Sequence, residues 1–146
     1  MQLGIMRLTG VYPNRSILGW MNALNSRELA LAYDTQNSLS GRDVEKIIWA
    51  LANGISPFMI FGIYYRSGII IAGGRYELAA ILDFINCRTS IDGSLLSLEG
   101  MVSYGQLSIR TQQNILSVIP PAVYCEAQTS RECEALLSIT APDRLR

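Results

Sequence analysis

Histidine is missing from all 146 residues, lysine occurs once, and none of the three cysteines stands in a C-x-x-C pair. Without histidine, no zinc site with a histidine ligand and no catalytic arrangement built on a histidine base is open to the chain. Cys87, Cys125 and Cys133 stand apart from one another, which points to reduced interior thiols rather than a metal or disulfide framework. Cys133 shares a predicted helix face with Leu136 and Leu137. Net charge is also lacking: twelve basic side chains balance twelve acidic ones. No field over the whole molecule then draws nucleic acid, and any such site must be a local patch. Eleven of the twelve cations are Arg and only Lys46 is Lys, a bias that genome composition explains as readily as selection for bidentate contacts. Long apolar runs are absent as well. The most apolar stretch, Ile55 to Gly74, is interrupted by Pro57, Arg66 and Gly68, whereas a bilayer span needs about 20 mostly apolar residues. Met1 to Gly10 carries Arg7 and no long apolar segment, so no signal peptide is expected. The expectation is a cytoplasmic or virion protein with no membrane span and no cofactor.

What is present suits one folded domain. Apolar residues make up 49% and charged residues 16%, with mean hydropathy +0.23, and a chain of this length can bury a core without staples. Leu3 to Leu8 reads as extended. Ser16 is placed to cap a helix running through Leu24, and Leu29 to Tyr33 is a short candidate strand. Ser40-Gly-Arg-Asp43 has capping-box form, and Val44, Ile47, Ile48 and Leu51 follow at helical spacing up to the stop at Asn53-Gly54. Phe58 to Tyr65 and Ile69 to Ala72 are β-branched and aromatic runs joined by Arg66-Ser67-Gly68, a hairpin. Further on, Leu95 to Leu98 suggests a short strand, and Ser108 caps a helix containing Ile109, Gln112, Ile115 and Leu116. Val118 to Ala127 is extended through Pro120-Pro121, and Thr129-Ser-Arg-Glu132 opens a last helix. No internal repeat or low-complexity linker is found.

The candidate site is the corner between the second hairpin strand and its helix. There Gly73-Gly74-Arg75 precedes Leu78, Ile81, Leu82 and Ile85 at helical spacing. Glycines let a ligand approach the backbone, a helix N-terminus offers free N–H groups, and Arg75 adds charge, so an anion or nucleotide is the natural guest. Glu77 in the first turn opposes this, since a carboxylate there favours the helix dipole but repels phosphate. Asp34, Asp43, Glu45, Glu77 and Asp83 form no metal-ligand spacing, and Asp43 and Glu45 read as ordinary residues of a first helical turn. Tyr64, Tyr65 and Arg66 fit either a base-stacking platform or, more simply, half-buried strand residues beside a turn. Trp20 and Trp49 are expected to lie partly exposed, as aromatics at protein contacts do, and with Tyr64 and Tyr65 they are the candidate interface residues.

The succession of parts from Ser40 to Ala141 resembles the ParB/sulfiredoxin-like nuclease domain of GmrSD-type modification-dependent restriction proteins. The resemblance lies in a helix ending ALANGISP, the strand FMIFGIYY, a turn and second strand into the glycine corner, and AAILDFIN on the next helix. It continues through YGQLSIRTQQNILSVIPPAVY and TSRECEALL. It implies a single α/β (α+β) domain with a small mixed sheet and four or five helices: residues 1–39 an N-terminal segment with one helix, 40–141 the core, 142–146 a tail. In that family the corner reads Asp-Gly-Gln-Gln-Arg-Leu. Here Gly73 stands at the aspartate, Gly74 at the glycine and Glu77 at the arginine, while the upstream Gln-Arg, which falls near Asp34-Thr35, is also absent. A nuclease of this kind needs a carboxylate for metal or water and cations for phosphate. The resemblance therefore implies the fold without the catalytic groups: a non-catalytic binding or assembly module with protein partners, a larger assembly or a homo-oligomer, one form of which is a small virion component. The alternative is a nucleotide-responsive, DNA-acting protein of the restriction or anti-restriction type working through Arg75.

Overall fold

The structure, a computed structural model, describes residues 14–141. The expected extended segment Leu3 to Leu8 and the tail 142–146 lie outside the described residues.

Local capping sets the helices. In α1 (Ile17–Asn25) the Ser16 hydroxyl accepts from the Gly19 amide at 3.2 Å. In α2 (Gly41–Ala52) Ser40 accepts from Asp43 N at 3.1 Å. Each bond satisfies one of the N–H groups that a helix start leaves without an intrahelical partner. Strand β1 (Leu29–Leu31) lies between them in the chain, short but real. The hairpin forms as expected from β2 (Ile60–Tyr65) and β3 (Gly68–Gly73). Its two connecting residues, Arg66 and Ser67, both take positive φ, 50° and 61°, the mirror-image turn whose twist matches that of the flanking strands. Helix α3 (Arg75–Ile85) leaves the corner directly. After it come the two-residue strands β4 (Ile91–Asp92) and β5 (Met101–Val102), then α4 (Ile109–Ser117), β6 (Ala122–Glu126) and α5 (Ser130–Thr140). Thr129 caps α5 by accepting from Glu132 N at 3.1 Å, and the Glu132 carboxylate reaches one residue past the usual box, to Gln128 N at 2.8 Å.

Among the described residues the main sheet has four strands in the order β1-β3-β2-β6. The hairpin is antiparallel at its centre, while β1 joins β3 and β6 joins β2 in parallel, with Leu29 opposite Ile69 and Ile60 opposite Ala122. The sheet is mixed and helices cover both faces. Strand alternation divides the core accordingly: Ile60, Ile69, Ile71 and Tyr124 pack with α1 to α4 on one side. Ile63, Ala72 and Cys125 pack with Cys133 and Leu136 of α5 on the other. The chain is thus an α/β protein, as expected, with five α-helices among the described residues. Residues 14–39 are integral to it, since α1 supplies Ile17 and Trp20 to the larger cluster and β1 is a strand of the sheet.

One expected element is different. Leu95 to Leu98 is not a strand: Ser94–Leu96 forms a 3₁₀ turn and Ser97 takes φ 60°. Its backbone groups are used elsewhere. Leu98 N donates to Gly93 O at 2.9 Å, and Leu95 N donates to the Glu45 carboxylate at 3.2 Å, leaving no row of donors for a ladder. A two-stranded ladder, β4 with β5, flanks the turn instead.

Candidate functional site

The corner is built from its glycines. Gly74 caps α3 with φ +83°, a conformation costly for any residue with a Cβ. A Cβ placed on it would sit 2.8 Å from Met59 O, and one on Gly73 would sit 3.0 Å from Phe61 Cβ. A side chain at either glycine would run into β2 or the residues that lead into it. At this position the glycines permit close approach of one strand of the chain to another.

Arg75 completes the packing from within. Only 6% of it is exposed. Its guanidinium donates through Nη1 to Ala72 O at 3.0 Å and through Nη2 to Tyr76 Oη at 3.2 Å. The Tyr76 ring lies 4.5 Å and the Tyr33 ring 5.8 Å from the guanidinium carbon. Arginine is suited to this place because its planar, weakly hydrated head stacks on rings while donating in plane. Tyr33 reaches it from a strained segment, with Tyr33 and Asp34 at φ 57° and 49°. The sequence places Arg75 in this corner as a charge for an anion, and the structure instead buries it against Tyr76 and Tyr33. Its partners were out of view, because Tyr33 is 42 positions away and nothing in the local pattern marks it.

The remaining candidates scatter. Trp20 corrects the expectation of partial exposure: it is fully buried at the centre of the larger cluster, with Arg15 over its ring at 5.6 Å. The α1 stripe of Ile17, Trp20, Met21 and Leu24 explains the burial, since Trp20 lies in the middle of the apolar face. Trp49 is 41% exposed and lines an open groove of about 350 Å³ between the end of α2, the 94–98 turn and the start of α4. Tyr64 and Tyr65 are half-buried strand residues. Arg66 lies over the Tyr65 ring at 5.0 Å, so that ring face is covered by the chain's own cation. Of the carboxylates, Asp83 pairs with Arg88 at 3.2 Å. Glu45 corrects its reading as an ordinary first-turn residue. It is 4% exposed and its Oε2 accepts from Ser94 Oγ at 3.0 Å and from Leu95 N at 3.2 Å, fastening the 94–98 turn to α2. A signal existed: Glu45 borders the Val44, Ile47, Ile48 stripe, where a solvated acid is out of place.

Among the described residues no group of three or more Cys, Asp or Glu side chains is arranged to hold a metal ion. No helix there is long and apolar enough to cross a membrane. Burial pushes the pKa of Tyr124 up, an effect that Arg15 partly offsets, and likewise that of Cys133, to which Glu134 adds. Tyr104 is likewise raised by burial and by Cys87. Each of these groups is thereby held in its neutral form, unlike an activated nucleophile or base.

Comparison finds no match. Neither the family models, nor the curated proteins, nor the solved structures contain one for this chain. The ParB/sulfiredoxin-like resemblance accordingly rests on the order of parts in the sequence, and the functional reading rests on the chain's own surface and corner.

Proposed function

We propose that the chain is a non-catalytic binding or assembly module, a protein-contact unit of a larger complex, of which a small virion component is one form. The observation that carries this reading is the apolar surface on uncharged stretches. Met59 and Ile119 are 55% and 57% exposed and lie at the same end of the neighbouring parallel strands β2 and β6. Ile55, just ahead of β2, is 52% exposed. Residues 53–65 and 111–125 hold no charged side chain. Apolar groups gathered on a surface without charges are what protein contacts bury. The buried Arg75 and the close packing at Gly73 and Gly74 agree with a fold used as a scaffold.

The competing reading, a nucleotide-responsive DNA-acting protein, needs Arg75 to meet a phosphate, and the guanidinium is engaged with Ala72 O and Tyr76. Two measurements separate the readings. Light scattering coupled to size exclusion should give a mass above the 16.1 kDa of one chain, and a panel of nucleotides with divalent metals should leave the melting temperature unchanged. A monodisperse monomer that hydrolyses a nucleotide would refute the assembly reading. A nucleotide-induced rise in melting temperature that Arg75→Ala abolishes would establish the alternative.

A further inference from the structure

We propose that the outer edge of β1 is a self-pairing surface, on which a second copy of this chain docks its own β1 antiparallel to form one continuous sheet. The inference rests on the assembly reading and names the partner and the place. Among the described residues β1 is an edge strand, paired with β3 alone. Such an edge presents backbone donors and acceptors whose natural complement is another extended backbone. All three β1 residues line an open groove of about 440 Å³, with Leu24 and Leu82 as apolar wall. The same groove carries one cation and one anion, Arg27 just before β1 and Asp34 just after it. Neither has an ion-pair partner among the described residues, whose bridges join Arg15 to Glu28 and Arg88 to Asp83.

That arrangement selects a second copy over other extended segments. A two-fold axis through Ala30 sets Leu29 of one chain opposite Leu31 of the other, as an isologous antiparallel pair requires. Because the pairing is antiparallel, it also brings the Arg27 end of one β1 alongside the Asp34 end of the other. Each cation then meets the anion of the other copy, twice per dimer, while the apolar residues of the two grooves close on one another. The left-handed conformations of Arg27, Tyr33 and Asp34, at φ 62°, 57° and 49°, turn the chain sharply at both ends of the strand. The turns limit the pairing to β1 and its flanks, so the dimer is weak and its charges decide it.

Sedimentation equilibrium of the full chain tests this. The expected result is a dimer fraction that grows with concentration and shrinks from low to high salt, as exposed ion pairs are screened. Arg27→Asp and Asp34→Arg should each weaken association about tenfold, since reversal turns two attractive contacts into repulsive ones. The double variant Arg27→Asp/Asp34→Arg should restore it. Arginine already occupies left-handed positions at Arg27 and Arg66, so the swap suits the backbone, and an unchanged melting temperature confirms folding. A chain that stays monomeric, or one whose association ignores both reversals, overturns the β1 pairing. Association that persists in the single reversals leaves the assembly reading standing through another surface. Nucleotide hydrolysis by a monomer would instead remove that reading itself.

Discussion

Three glycines make a quantitative test of the corner. Gly74 has φ +83° and a Cβ there would stand 2.8 Å from Met59 O, a backbone atom held in place by β2. Gly54 has nearly the same φ, +78°, but open space around it. Gly41 opens α2, with neither a positive φ nor any atom within 4 Å of an added Cβ. Alanine at Gly54 should therefore cost only the left-handed conformation, roughly 1–2 kcal/mol. Alanine at Gly74 carries that cost plus overpacking of about 1–3 kcal/mol, for a total of roughly 2–5 kcal/mol. Gly41→Ala should stabilise by about 0.4–1 kcal/mol, because it narrows the unfolded ensemble without strain. Urea denaturation followed by tryptophan fluorescence gives all three from the shift in midpoint at constant slope. Equal losses at Gly74 and Gly54 would refute the claim that the segment leading into β2 crowds Gly74.

Glu45→Ala should lower stability by about 2–3 kcal/mol, because the Ser94 hydroxyl and Leu95 amide lose a charged acceptor, and amide exchange at Leu95 should speed up. Glu45→Gln, which keeps an acceptor oxygen, should lose less. With a thiol reagent, exposed Cys87 should react at once, whereas buried Cys125 and Cys133 should react only as the chain unfolds; three fast thiols would contradict the two-faced core. Raising the pH should destabilise the fold in the alkaline range. Burial raises the pKa of Tyr104, Tyr124 and Cys133 in the fold, so the unfolded chain releases their protons first. Their contribution is complete below the unfolded values of about 8.5–10 and is lost as pH rises through the folded ones. A melting temperature unchanged between pH 8 and pH 11 would contradict it.

Most elements were legible because their causes are local. Ser16, Ser40, Ser108 and Thr129 announce helices within three residues, and the Arg66-Ser67 turn sits between two β-branched runs. What stayed hidden depends on partners far along the chain. Glu45 meets a turn 49 residues away, and Arg75 is enclosed by Tyr33, 42 residues upstream. An apolar run such as Leu95 to Leu98 shows β character until its backbone groups are bonded elsewhere. Trp20 illustrates the converse: its helix face was readable, yet exposure was inferred from residue type rather than from position on that face. The candidate corner was found, and its chemistry turned on the side to which Arg75 points.

The sheet order carries a consequence for how the chain reaches this state. Its two central strands are neighbours in sequence, while its edges arrive from afar: β1 meets β3 across 40 residues (Leu29 to Ile69), and β6 meets β2 across 62 (Ile60 to Ala122). The hairpin can close in microseconds on its own turn, but each edge must wait for a long loop to be drawn together. Assembly should then proceed outward from Arg66-Ser67, and opening should proceed inward. The amides of β2 and β3 would exchange last, and the short β1 would be the first strand to come away.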